Sequence, residues 1–134
     1  MYTKTELLDI LRAQTKIPNL IFNIYVPPFA SIILKALKDN DKIISCSVFC
    51  KFNKKSGFLF LLQDRLLFVN YPFAFNRTEL YINNIATFSK DVGLWTSINF
   101  VDAGGKKYKL FNISEDCADA IINYINNTKS QQKV

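Results

Sequence analysis

Histidine is absent from the 134-residue sequence. Its absence removes the side chain that most often serves as a general base, a metal ligand or a switch near neutral pH. Glycine-rich phosphate-binding loops and nucleophile-elbow motifs are also missing, and the acidic residues in or beside the predicted turns, Asp64, Glu79, Asp91 and Asp102, show no paired spacing. We therefore expect a protein that binds a ligand without transforming it, with no catalytic residue, cofactor or metal ion.

Cysteine is scarce, with only Cys46, Cys50 and Cys117. An odd number, together with an N-terminus that lacks a secretory signal, predicts reduced thiols in a cytoplasmic protein. Cys46 and Cys50 lie four residues apart in a predicted strand, so we expect both on one apolar face with Ile44 and Phe52. This pattern favours buried structural thiols, because a zinc site lacks further ligands and a nucleophilic thiol lacks a base.

Uninterrupted apolar runs of membrane-spanning length are also missing. The most apolar stretch, residues 17–34, is broken by Asn19, Asn23 and Pro27-Pro28, whereas a spanning helix needs about 20 nearly continuous apolar residues. We predict instead that residues 1–40 form a helical leader packed on the domain or on a partner. If the leader is displayed, it marks an interface, for which the candidate residues are Ile21, Phe22, Tyr25 and Phe29. Anchorage of the leader in a membrane surface is the alternative.

The clearest pattern that is present runs from Gly57 to Asn70. Two apolar runs, Phe58–Leu62 and Leu66–Val69, are separated by the polar pair Gln63-Asp64. Each run has the length of one strand, and Gly57 and the many phenylalanines argue against a helix. We predict a tight antiparallel hairpin.

Patterns of the same kind along the rest of the chain predict seven short strands in total and one terminal helix. The strands are predicted at residues 43–52, 58–62, 66–69, 78–82, 86–90, 94–101 and 107–111. Ser114 is a suitable N-cap for a helix whose apolar stripe includes Ile121, Ile122 and Ile125. Seven twisted strands tend to fold over, and the helix would cover the open end. From residue 127 onward we expect a frayed polar tail.

This pattern resembles the bacterial pleckstrin-homology-like (PH-like) families, and the YokE-like PH domains most closely. The residues that carry the resemblance are the glycine, apolar strand, turn and Arg-Leu-Leu-Phe run of residues 57–69, with Gly104-Gly105 before the last strand. The match covers residues 41–126. It implies a mainly β fold: a seven-stranded antiparallel, partly open barrel capped by a C-terminal helix and preceded by the helical leader. It also implies a non-catalytic domain.

The net charge of +6 favours anionic partners in a general way. A PH-like topology would bring three loops to one end of the barrel, and their basic and aromatic residues form a candidate rim for an anionic membrane: Lys54, Lys55, Phe73, Phe75, Arg77, Lys106 and Lys107. The competing interpretation is that these lysines only solubilise turns while the two phenylalanines fold onto the core. Specific phosphoinositide recognition is not expected, because the second strand carries no basic residue.

The sequence therefore predicts a binding or scaffolding domain whose ligand is another protein or a second copy of itself. Peripheral attachment to an anionic membrane through the candidate rim is the alternative function. Nucleic acid is disfavoured, because the aromatic residues fall within apolar strands and no helix has a basic face.

Overall fold

A computed structural model describes residues 1–14, 18–71 and 77–132. Phe73 and Phe75 therefore lie outside the described residues. The helices are α1 (Lys4–Gln14), α2 (Asn19–Tyr25), α3 (Ala30–Ala36) and α4 (Glu115–Gln132), with 3₁₀ turns at Pro27–Phe29 and Ile82–Asn84. The strands are β1 (Ile43–Phe52), β2 (Lys55–Leu62), β3 (Arg65–Asn70), β4 (Arg77–Tyr81), β5 (Ile85–Val92), β6 (Thr96–Asp102) and β7 (Lys107–Ile113).

The seven strands form one antiparallel sheet in the order β4-β3-β2-β1-β7-β6-β5. β1 joins the two halves, and its pairing with β7 among the described residues is short: Lys51 lies opposite Phe111, and Phe52 lies opposite Leu110. The sheet is open because β4 and β5 are both edge strands. The predicted mainly β architecture, with seven antiparallel strands, a C-terminal helix and N-terminal helices, is confirmed.

Strand β1 bends where it passes from one half of the sheet to the other. Its register shifts between Ser47 and Cys50, and Phe49 between them has a φ of 59°. A bulge of this kind adds a residue to one strand and reverses the facing of the residues after it. The prediction that Cys46 and Cys50 share a face is therefore wrong: they belong to clusters on opposite faces of the sheet. Ile44, expected in the same buried row, is 42% exposed.

The inner face of the sheet and α4 form one core. Ala118, Ile121 and Ile125 of α4 are buried there against residues from β1, β2, β3, β6 and β7. Ser114 caps the helix as predicted, since its Oγ accepts the backbone N–H of Cys117 at 3.1 Å. The helix is longer than expected: residue 127 does not begin a frayed tail, because α4 continues to Gln132 and Lys129 Nζ donates to the carbonyl of Ile85.

The outer face of β1, β2 and β3 is covered by the N-terminal helices. Leu7 and Leu11 of α1, Phe22 of α2 and Ile33 of α3 pack on the outward side chains of these strands. Along β2, consecutive residues from Phe58 to Leu62 alternate between the inner and outer clusters. This double burial explains why the hairpin reads as continuous apolar runs, with no polar residue at every second position.

Residues Asn19–Ala36 form the one stretch of the described chain that is long and apolar enough, by length and composition, to cross a membrane. In the structure the stretch is divided into α2, the Pro27–Phe29 turn and α3. Only 28% of it is buried, and the buried residues are Phe22, Val26, Ala30, Ile33 and Ala36. The rest of the stretch is half-buried or exposed.

Arg65, the first residue of β3, is fully buried. Its guanidinium makes a bidentate ion pair with Asp41, with Nη2–Oδ2 at 2.6 Å and Nη1–Oδ1 at 2.9 Å. Asp41 also accepts the backbone N–H of Lys38 and the amide of Gln63. This network fastens the segment between α3 and β1 to the β2–β3 turn.

Gly57 has a different structural role. A Cβ atom there would lie 2.1 Å from the carbonyl oxygen of Val69 on the neighbouring strand. No side chain fits at that distance, so the glycine permits the close approach of β2 and β3.

Candidate functional site

The predicted rim residues lie in the β1–β2, β3–β4 and β6–β7 connections, or next to them. Lys54 belongs to the β1–β2 turn, and Lys55 begins β2. Lys106 precedes β7, and Lys107 is its first residue. Arg77 begins β4 and has its guanidinium Nε 3.8 Å from Glu79 Oε1. All five side chains are exposed.

Two adjoining grooves bring part of this set together. The first, of about 450 Å³, is lined by Lys51, Asn53, Lys54, Lys109 and Phe111. The second, of about 390 Å³, shares Asn53 and Lys109 with the first and adds Lys107 and residues of β6. Lys55, Arg77 and Lys106 line neither groove. We call Lys51, Lys54, Lys107 and Lys109 the lysine face.

Asn53 positions the lysine face. Its backbone N–H donates to the carbonyl of Lys109 at 2.9 Å, and its Oδ1 accepts the N–H of Lys109 at 2.8 Å. Asn53 and Lys54 form the two-residue turn between β1 and β2, and both have positive φ, 51° and 72°. Such turns favour Asn-Gly, so a lysine at the second position is held in a conformation that glycine would adopt at less cost.

The four lysines have no carboxylate partner among the described residues, since none of the ion pairs there includes them. Lys90, by contrast, pairs with Asp119 at 2.6 Å. Lys109 Nζ instead lies 5.6 Å from the ring centre of Phe111. An exposed aromatic residue stands beside the face: Trp95, 60% exposed, meets the Phe111 ring edge-on at 6.5 Å.

Sequence reasoning missed Lys51, Asn53, Lys109 and Phe111 as site residues because it searched loops. The available signal was the alternation Lys107-Tyr108-Lys109-Leu110-Phe111, which places the odd-numbered residues on one face of a strand. Tyr108 and Leu110 are buried in the inner core, whereas Lys107 and Lys109 are exposed on the other side.

The second candidate surface is the outward side of α2. Of the predicted interface residues, Ile21 and Tyr25 are 41% and 46% exposed, whereas Phe22 is buried and Phe29 is half-buried. Phe22 and Phe29 therefore belong to the packing of the leader and not to an open surface. Two residues not predicted join the exposed side, Leu20 at 72% and Ile24 at 55%. We call Leu20, Ile21, Ile24 and Tyr25 the α2 ridge.

The α2 ridge and the lysine face adjoin each other. The Tyr25 ring meets the Phe49 ring edge-on, with 6.5 Å between centroids. Phe49 precedes Lys51 by two residues on β1, and Lys51 lies opposite Phe111 on β7. On the other flank of α2, Arg12 donates to Asn23 Oδ1 at 2.9 Å and lies over the Phe22 ring. One cation, Arg12, therefore contacts α2 directly, and Lys51 follows the Phe49 contact by two residues.

A larger groove, of about 550 Å³, lies near the N-terminus and is lined partly by Glu6, Asp39 and Asp41. Burial alone would raise the pKa of Asp41, but the hydrogen bonds from Arg65, Lys38 and Gln63 outweigh it and lower the pKa to about 2. The Asp41 carboxylate is therefore committed to the internal network. The described residues contain no group of three or more cysteine or acidic side chains placed to hold a metal ion.

The thiols are unsuited to nucleophilic chemistry. Burial raises the pKa of Cys46 and of Cys50 to about 12, and it raises the pKa of Cys117 as well. Since the thiolate is the reactive form, these side chains stay protonated near neutral pH. Cys46 and Cys50 are buried and unpaired.

Comparison with known proteins supports the fold. No family model matches the sequence, and no curated protein matches it either. One similar solved structure is the Vps36 N-terminal PH domain, with a TM-score of 0.58 at 12% identity, over 70% of this chain and 86% of that one. Another is the C-terminal domain of an unknown protein from Leishmania infantum, with a TM-score of 0.54 at 16% identity, over 78% and 97% of the two chains. At these identities the likeness defines a PH-like fold.

Proposed function

We propose that this protein is a non-catalytic PH-like binding module that attaches to an anionic membrane surface through the lysine face. The observation that carries the proposal is a set of four exposed lysines that have no carboxylate partner within residues 1–14, 18–71 and 77–132, gathered around two adjoining grooves by the β1–β2 turn and β7. Lys54 gives further support to the proposal, because this cation is held in a backbone conformation that glycine would adopt more easily.

The expected strength follows from the number of cations. A basic residue near an anionic membrane contributes roughly 1 kcal/mol, so four contribute roughly 4 kcal/mol, or about three orders of magnitude in partitioning. The contribution should fall steeply with salt, because the lysines are exposed and the Debye length shortens from about 10 Å at 0.1 M to about 3 Å at 1 M.

The non-catalytic part of the proposal is supported by the lack of histidine and by thiols whose pKa values are raised by burial. The closer relationship, to the YokE-like PH domains, is also a proposal. It is supported by Gly57 and Arg65, two residues of the shared motif that each have a structural role that other residues would not fill.

A protein partner or a second copy is the competing ligand, and the exposed α2 ridge is the observation that favours it. Sedimentation velocity at several protein concentrations tests self-association. A concentration-dependent dimer that Leu20→Asn with Ile24→Asn converts to monomer would establish this second function.

Vesicle co-sedimentation tests the proposed function. Wild-type protein should bind phosphatidylcholine vesicles that contain one quarter phosphatidylserine and should not bind phosphatidylcholine alone. Lys51→Glu with Lys109→Glu should reduce binding by more than a hundredfold, since two attractions become repulsions. Lys4→Glu with Lys35→Glu makes the same change of net charge away from the lysine face and serves as the matched control. Equal loss in both double variants would refute a localised site.

A further inference from the structure

The α2 ridge presents an apolar surface with no charge of its own. The helix reads Asn-Leu-Ile-Phe-Asn-Ile-Tyr, and Lys35 is the only charged residue in the whole stretch from Asn19 to Ala36. Phe22 alone in α2 turns toward the sheet. Large apolar side chains therefore meet water along two helical turns, which costs free energy unless another apolar phase covers them.

The surroundings of the ridge indicate what covers it. Arg12 contacts α2 at Asn23, and Lys51 lies two residues along β1 from Phe49, whose ring contacts Tyr25. An apolar ridge with cations beside it matches the boundary between anionic headgroups and acyl chains, where a helix can lie with its apolar face buried by about 5–10 Å. Tyr25 suits this boundary too, because its ring is apolar and its hydroxyl is polar.

A second copy of the chain is a poorer match in area. From the exposed fractions of the four ridge residues, and at about 180 Å² for a large side chain, the ridge offers roughly 400 Å², whereas a standard interface buries about 800 Å² on each partner. A bilayer requires no such minimum area, since each inserted side chain adds its own transfer free energy.

We propose that α2 is a membrane-inserting element, so that Leu20, Ile21 and Ile24 enter the acyl boundary of an anionic bilayer while the lysine face contacts its headgroups. This inference rests on the proposed function and extends it: besides the contact of the lysine face with anionic headgroups, apolar side chains of α2 enter the bilayer. Insertion adds a component of binding that salt does not screen.

The first experiment compares wild type and two variants of the full chain on vesicles of phosphatidylcholine with one quarter phosphatidylserine. Leu20→Asn with Ile24→Asn should lower partitioning between ten- and a hundredfold, since each side chain contributes about tenfold. The loss should persist at 0.5 M salt. Ile44→Asn is the matched control, because Ile44 is 42% exposed at the opposite end of β1 and should leave binding unchanged. Circular dichroism establishes that each variant keeps its fold.

The second experiment measures directly how deeply the α2 ridge enters the bilayer. Trp95 is the single tryptophan, so Trp95→Phe with Ile24→Trp places the only indole on the ridge. Lipids brominated in the upper acyl chain should quench this indole in anionic vesicles and leave it unquenched when the vesicles are neutral.

The outcomes separate the two proposals. If the ridge variant binds like wild type and the indole at position 24 is not quenched, insertion is refuted. Loss of binding in Lys51→Glu with Lys109→Glu would in that case still support attachment through the lysine face. If wild-type protein does not bind anionic vesicles, both proposals fail. If the ridge variant changes only the sedimentation coefficient, the ridge is a protein interface and insertion is again refuted.

Discussion

Removal of the Asp41 carboxylate is the perturbation that the structure describes most fully. Asp41 and Arg65 are buried and joined by two hydrogen bonds of 2.9 and 2.6 Å. In Asp41→Asn the guanidinium keeps Asp64 at 2.8 Å and Glu79 at 3.7 Å, but the Asp64 side chain is 50% exposed and its attraction is screened by water. A buried cation would thus lose its main partner.

Two lines of reasoning give the magnitude. Breaking a buried ion pair by removing one partner costs about 3–5 kcal/mol. The pKa of Asp41, lowered from 3.8 to about 2, corresponds to roughly 2 kcal/mol of stability that depends on its charge. Because asparagine can still accept the N–H of Lys38, we expect a loss of about 2–3 kcal/mol, or roughly 10 °C in melting temperature.

The pH dependence has a definite sign. The pKa of Asp41 is lower in the folded protein, so its contribution is complete above about pH 4 and disappears as the pH falls toward 2. The free energy of unfolding of the wild-type protein should therefore fall on acidification. In Asp41→Asn the decrease should be smaller, because the contribution of the Asp41 charge is already absent. Urea unfolding followed by circular dichroism at pH 7, 4 and 2.5 measures both.

The control is Asp39→Asn, which removes an exposed carboxylate two residues away. It should change the free energy of unfolding by less than about 0.5 kcal/mol. If Asp41→Asn were as stable as wild type at pH 7, or if it showed the same acid loss, the ion pair would not stabilise the fold as argued.

Two further changes probe the β1–β2–β3 region. Gly57→Ala should lower the free energy of unfolding by about 3 kcal/mol or more, since its Cβ would meet Val69 O at 2.1 Å. Gly93→Ala is the control and should leave stability unchanged, because no atom lies within 4 Å of a Cβ there. Equal melting temperatures of the two variants would contradict the close approach of β2 and β3. Lys54→Gly should stabilise the fold by up to about 1 kcal/mol by relieving a φ of 72°, yet weaken binding to anionic vesicles about fivefold. Unchanged vesicle binding would remove Lys54 from the lysine face.

The strands and the terminal helix were predictable because their signals are local. Phe58–Leu62 and Leu66–Val69 have strand length and composition, and Ser114 is a common N-cap. Burial on both faces produced the continuous apolar runs that marked the hairpin. The bulge at Phe49 could not be predicted, since nothing in the residue itself favours a φ of 59°. The facing of Cys46 and Cys50 depended on that bulge.

The candidate site was only partly predictable for a related reason. Lys54 and Lys107 were found because turns bearing lysine are visible in the sequence. Lys51 and Lys109 join them through the β1–β7 pairing and through Asn53, which are contacts between distant segments. The Asp41–Arg65 pair is likewise a long-range contact, and the sequence indicated Arg65 only as part of the motif that carries the PH-like resemblance.

Hydrogen–deuterium exchange of the full chain, with and without anionic vesicles, tests the central claim most directly. The account predicts slower exchange in residues 51–55, 107–111 and 19–25 when vesicles contain phosphatidylserine, and no change with phosphatidylcholine alone. Protection confined to other segments, or none at all, would contradict attachment through the lysine face.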